Sequence, residues 1–95
     1  MRISYDPGKN ARNTAERGLS FARAADFVWE TAVIAEDNRK GYPERRFVAV
    51  GYLDDRLHIL CFTPSDEGVR VISFRKANER ERKCYEETTQ TTHRP

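Results

Sequence analysis

Apolar positions along this 95-residue chain come in short runs that switch between a period of two and one of three to four, and each switch predicts an element. Residues 2–5 read as a short extended segment. Asp6 then supplies an N-cap and Pro7 a first helical residue, so a helix is expected from Pro7 through Ala11 and Ala15 to Gly18, a residue suited to the left-handed stop. Leu19 and Ser20 restart the pattern. Ser20 caps, Leu19 staples onto Ala24, and Phe21, Ala24, Ala25 and Val28 stand at i, i+3, i+4 and i+7, which predicts a second short helix with one apolar face. Residues 31–35 are β-prone, and residues 36–43 form a loop by polarity and by Gly41 and Pro43.

Three strands follow at short intervals. Residues 45–53 alternate around Phe47, Val48 and Val50, Asp54-Asp55 makes a tight turn, 57–63 is nearly all apolar, 64–68 turns again, and 69–75 alternates. The last helix has the plainest start: Asn78 as N-cap, Glu81 three residues later reaching back, and i, i+4 pairs of Glu79 with Lys83 and Arg82 with Glu86. Residues 88–95, rich in Thr and without an apolar side chain, are expected to lack order. The order β-α-α-β-β-β-β-α predicts an α+β fold, with helices on one face of a mostly antiparallel sheet. No repeat or linker divides the chain, so residues 1–87 are expected to form a single domain.

Composition sharpens this picture. The chain is 38% hydrophobic and 34% charged, yet five Phe, four Tyr and one Trp provide bulky groups to bury. A net charge of +2 falls short of the clustered basicity of a DNA reader, but the seventeen basic residues are mostly Arg, whose planar fork suits phosphate. Cys61 and Cys84 form no CxxC pair and have no companion histidines for zinc, so reduced thiols and no metal or other cofactor are expected. No apolar stretch approaches the roughly 20 residues of a membrane span and no signal-peptide core opens the chain, so a cytoplasmic protein without a membrane partner is expected.

Candidate chemistry gathers where the last strand meets the last helix. Arg45-Arg46 begins one strand, while Arg70 and Arg75-Lys76 belong to the final one. Arg70 and Arg75, five apart, point to opposite faces of a regular strand, although Arg75 escapes that parity if it lies past the strand end. Arg75 leads into a helix N-terminus, where backbone donors favour an anion. Arg70 is either a phosphate ligand or a solvated cation at the sheet edge. Glu81 and Tyr85, at i and i+4, share a helix face, and either can act as general base on a ribose 2′-OH. Glu81 is equally explained as a capping acid and Tyr85 as a packing residue. His58, inside an apolar strand, is better read as a core or edge histidine than as an acid-base group, and Asp54-Asp55 as a hairpin turn rather than a metal pair. Arg39 and Tyr42 stand in the polar loop, where aromatic residues beside arginines can stack single-stranded bases.

Together these residues resemble the BrnT family of ribonuclease toxins. The resemblance runs over residues 2 to 87: Tyr5-Asp6-Pro7 with Lys9 and Asn10 or Asn13, Gly18-Leu19-Ser20-Phe21, Ala24-Ala25, Phe27, Asp37, Arg39, Tyr42, Glu44, Arg45-Arg46, Gly51, Thr63, Arg70, Ile72-Ser73, Arg75-Lys76-Ala77, Glu81 and Tyr85. It implies a RelE-like fold and a metal-independent endoribonuclease that slows translation. Its partners would be RNA, as messenger alone or on the ribosome, and a BrnA-type antitoxin that covers the basic face. The complex would repress its own operon, touching operator DNA only through the antitoxin. Carried onto this chain, Arg45, Arg46 and Arg75 would hold the scissile phosphate and Glu81 or Tyr85 would move a proton, with Arg39, Tyr42, Arg70 and Lys76 contacting RNA. Two departures stand out: Ala22-Arg23 where relatives carry a carboxylate after Ser-Phe, and Phe74 where smaller residues are common. The competing expectation is a binding subunit without catalysis, in which the arginines serve only the antitoxin interface. A plain nucleic-acid-binding module fits less well, given the modest charge and the absence of a known RNA-binding motif.

Overall fold

The computed structural model describes residues 1–39 and 41–93, with side chains through residue 89. The elements are β1 (Arg2–Tyr5), α1 (Pro7–Arg17), 3₁₀ segments at Phe21–Asp26 and Trp29–Thr31, β2 (Val33–Asp37), β3 (Arg46–Leu53), β4 (Arg56–Ser65), β5 (Gly68–Lys76) and α2 (Glu79–His93). This is the expected order. The second helix is a 3₁₀ segment of six residues that ends before Val28, and Val28 is exposed rather than part of an apolar face.

The local stops and starts follow from the residue types. Asp6 accepts from the Lys9 N–H at 2.8 Å with Pro7 at the first helical position, and Gly18 ends α1 at φ 66°. Asp54 and Asp55 both adopt left-handed backbone, φ 51° and 62°, the primed turn whose twist matches the flanking strands. β4 runs on through Pro64, two residues past Phe62, the last β4 residue with a partner on β3 (Phe47), so Pro64 has no strand partner on that side.

The five strands form one sheet in the order β1-β5-β4-β3-β2. β2 to β5 are an antiparallel meander, as short links require, but β1 pairs with β5 in parallel, Arg2 opposite Gly68 and Tyr5 opposite Val71. The sheet is therefore mixed rather than antiparallel throughout. A short link dictates direction only between consecutive strands, and β1 reaches β5 from the far end of the sequence.

One face of the sheet carries the core. Ala49, Leu53, Leu60, Phe62, Val69, Val71 and Phe74 pack under Phe21, Ala24 and Phe27 of the first 3₁₀ segment and its flank. Phe27 meets Trp29 and Phe74 edge-to-face with centroids 5.0 and 6.0 Å apart, and Trp29 meets Phe62 at 5.4 Å. Gly51 admits this approach: a Cβ there would lie 2.7 Å from the tip of Phe27. α1 buries none of its side chains. It docks through amides instead: the Asn13 side chain donates to the carbonyls of Leu19 and Phe74 at 2.8 and 3.0 Å, and Asn10 Oδ1 accepts from the Phe21 N–H at 2.7 Å.

The helices do not share a face of the sheet, contrary to the expected layering. Phe21, Phe27 and α1 fill the core side, so α2 takes the opposite one, where Tyr85 meets Tyr52 edge-to-face at 5.6 Å. The segment expected to lack order, 88–95, begins within α2; its side chains from residue 90 and residues 94–95 lie outside the described residues.

Candidate functional site

The face away from the core is a groove of about 530 Å³ between the sheet and α2. Val48 and Val50 of β3 and Ile59 and Cys61 of β4 line its apolar part, and burial pushes the Cys61 thiol pKa up. Arg75, Arg39, Arg80, Glu81 and Tyr85 stand around it.

A bulge decides which cations of β5 face this groove. Phe62 pairs with Val71 and the adjacent Cys61 with Ser73, so Ile72 is an extra residue that opposes nothing on β4. Arg70, Ser73 and Arg75 consequently stand opposite Thr63, Cys61 and Ile59, which share one face by alternation. Arg70 and Arg75 thus project on the same side, where a regular strand would part them.

Arg75 does not wait with an open fork. Its Nη1 and Nη2 donate to the two Glu81 oxygens at 2.8 and 2.7 Å, a bidentate ion pair. Glu81 also completes the expected capping box, accepting from the Asn78 N–H at 2.9 Å while Asn78 Oδ1 accepts from the Glu81 N–H at 2.8 Å. The Arg75 hydrogen bonds, then the Asn78 N–H, hold the Glu81 carboxyl down to a pKa of about 2. The anion favoured at this helix N-terminus is the protein's own carboxylate.

A second group forms where β2 leaves β3. Asp37, its side chain 7% exposed, accepts two bonds from Arg39 Nε and one from Arg39 Nη2, at 2.7 to 3.1 Å, and this guanidinium holds its carboxyl below the usual range. Asp37 pairs with Arg46, which bonds Glu44 at 3.0 Å and lies 3.8 Å over the Tyr42 ring. Arg39 is 5.5 Å from the same ring. Two guanidiniums and one phenol ring therefore form a single cation–π cluster.

Of the residues expected at the site, Arg39, Tyr42, Arg46, Arg70, Arg75, Glu81 and Tyr85 belong to this side of the sheet, while Arg45 and Lys76 do not. Arg45 bonds Glu36 at 3.0 and 3.1 Å and lies 5.3 Å over Phe47, whose partner is the core residue Phe62. Lys76 pairs with His58. Tyr85 is buried, and its hydroxyl donates to the Thr31 carbonyl at 2.8 Å, which ties α2 to the approach of β2. His58 is 4% exposed against Phe74 on the core side, and burial lowers its pKa. Sequence reasoning missed Arg80, Cys84 and Thr88, which line the groove; their i, i+4, i+8 spacing one residue before Tyr85 was the available signal. Among the described residues no three His, Cys, Asp or Glu side chains are placed so that they could hold a metal ion together.

The model of one protein family, the ribonuclease toxin BrnT of type II toxin-antitoxin systems, matches residues 5–81. That span runs from Tyr5, the last residue of β1, through the capping box of α2 and includes both cation groups of the groove. The chain has no match among curated proteins.

Proposed function

The chain belongs to the BrnT family of ribonuclease toxins of type II toxin-antitoxin systems, and we propose that it cleaves RNA in the groove between the sheet and α2 without a metal ion. The observation that carries this reading is the meeting of Arg39, Arg46 and Arg75 on one side of the sheet, beside an apolar floor and a carboxylate. Bases rest on the floor and on Tyr42, and the scissile phosphate takes the Arg75 fork from Glu81.

That exchange arms the base. Released from Arg75, Glu81 loses the main cause of its depressed pKa and becomes a better proton acceptor. It takes the proton of the ribose 2′-OH, the 2′-oxygen bonds to phosphorus, and the bond to the 5′-oxygen breaks, with that oxygen taking a proton from a water that is in turn reprotonated by Glu81. The products are a 2′,3′-cyclic phosphate and a 5′-hydroxyl. Arg75 and Arg46 stabilise the charge that builds on the phosphate oxygens. Tyr85 positions α2, and Arg45, on the core side, takes no part in the step. The fold is of the RelE-like kind, and the antitoxin that a type II family implies is a BrnA-type protein. It covers this groove and carries the toxin to operator DNA as a repressor complex.

A binding subunit without catalysis is the second reading. It is favoured by the engagement of both Glu81 oxygens and of the Tyr85 hydroxyl, which leaves neither as a free base in this state. Incubation with single-stranded RNA in EDTA separates the two. The nuclease reading expects fragments ending in 2′,3′-cyclic phosphate and a loss of about 100-fold or more in Arg75→Ala. A parent protein that cuts neither free nor ribosome-bound RNA leaves only the binding role.

A further inference from the structure

A second cleft, also about 530 Å³, opens on the core side, where the end of α1, the first 3₁₀ segment and the β3–β4 hairpin meet. Arg17, Arg23, Arg56, Lys76, Asp54 and His58 line it. The one carboxylate among them is neutralised: Arg23 Nη2 bonds both Asp54 oxygens at 2.8 and 2.9 Å, while Arg23 Nε reaches Asp26 at 3.1 Å. Arg17, Arg56 and Lys76 have no ion pair among the described residues. Asp55, Glu79 and Glu86 line a neighbouring pocket that Arg56 also borders, but within this cleft three cations without an ion pair stand together and favour an anion.

His58 forms part of the wall and adds a switchable donor. Its Nδ1 lies 2.7 Å from the Arg56 carbonyl. A carbonyl only accepts, so Nδ1 carries the proton and Nε2 of the neutral ring is bare. Nε2 has no hydrogen-bond partner among the described residues and is not fully buried, and His58 lines the cleft. An anion bound there would draw a proton onto Nε2 and gain a further hydrogen bond.

We propose that this cleft binds phosphate, held by Arg17, Arg56 and Lys76 beside His58, either as a phosphodiester of RNA or as the free ion. The RNA source rests on the nuclease reading above; the anion site does not. Lys76 follows Arg75 directly at the end of β5 while the two line different cavities, so one RNA chain passing round this end of the sheet meets the groove and then the cleft.

The test follows the His58 ring signals by NMR in the full chain, assigned with His58→Gln, during titration at constant ionic strength. Inorganic phosphate and an uncleavable 2′-O-methyl oligoribonucleotide are the two probes, with sodium chloride and polyglutamate as controls. The expected result is a saturable shift of the His58 ring and a raised titration midpoint, retained in Arg75→Ala and weakened about tenfold or more in Arg56→Ala/Lys76→Ala. Saturation by the oligonucleotide at lower concentration identifies RNA as the source, and saturation by phosphate alone identifies the free ion. No shift with either probe, a shift unchanged in the double variant, or a response to polyglutamate only overturns the assignment. Cleavage is not the readout, so loss of the nuclease reading and loss of the phosphate site are seen separately.

Discussion

Glu81 serves three donors at once, the Asn78 N–H and both terminal nitrogens of Arg75, and this makes it a stability element as well as the proposed base. Its folded pKa, about 2, is below the ordinary 4.5, so the stabilisation is complete above pH 4.5 and is lost as pH falls toward 2. Chemical denaturation as a function of pH should show this slope, and Glu81→Gln should flatten it while costing about 1–2 kcal/mol at neutral pH, a figure discounted for partial solvent access. Asn13 is the corresponding residue in α1. Asn13→Ala strips the donor from the Leu19 and Phe74 carbonyls, and a loss of about 1–3 kcal/mol is expected in thermal or urea unfolding. Arg23 bridges Asp26 and Asp54, which gives the cation at this position a structural role.

At the scale of elements, two attachments stand out. α2 is held to the body by Tyr85, through the Thr31 carbonyl and the Tyr52 ring, and by the Arg75 ion pair at its first turn. Tyr85→Phe keeps the ring and removes the donor, so faster amide hydrogen exchange in α2 is expected with cleavage reduced only modestly. A loss of cleavage by orders of magnitude would instead make Tyr85 the base. β1 is the other case. A Cβ on Gly68 would collide with the backbone of Arg2, so Gly68→Ala is expected to loosen the parallel pairing, lowering Tm and exposing the β1 amides to exchange. The Ile72 bulge in β5 has no partner on β4 but turns Arg70 to the side of Arg75.

For the whole molecule, the distribution of charge matters more than its sum. A net charge of +2 conceals a sheet with cations on both sides, some compensated and some open. RNA affinity should fall with salt, and the log–log slope should shrink by roughly 0.7 for each phosphate contact removed. Arg39→Ala and Arg46→Ala are expected to reduce both affinity and slope, whereas Arg45→Ala, which bonds Glu36 on the core side, should leave them near the parent values. Fluorescence anisotropy with a 2′-O-methyl oligonucleotide at several salt concentrations checks all three. No described helix is long and apolar enough to cross a membrane.

The sequence by itself determined what depends on neighbours within about four positions: the Asp6-Pro7 start, the Gly18 stop, the Asp54-Asp55 turn, the Asn78 and Glu81 box, and the order of elements. Such signals are local because the bonds that satisfy them are local. Tertiary structure alone decided the parallel placement of β1, the side of the sheet taken by α2, which of Arg45 and Arg46 faces the groove, and the reunion of Arg70 with Arg75. Each of these depends on pairing between distant strands or on which face the aromatic core had already filled. One inserted residue, Ile72, changes strand parity without changing the apolar pattern enough to be seen in the chain.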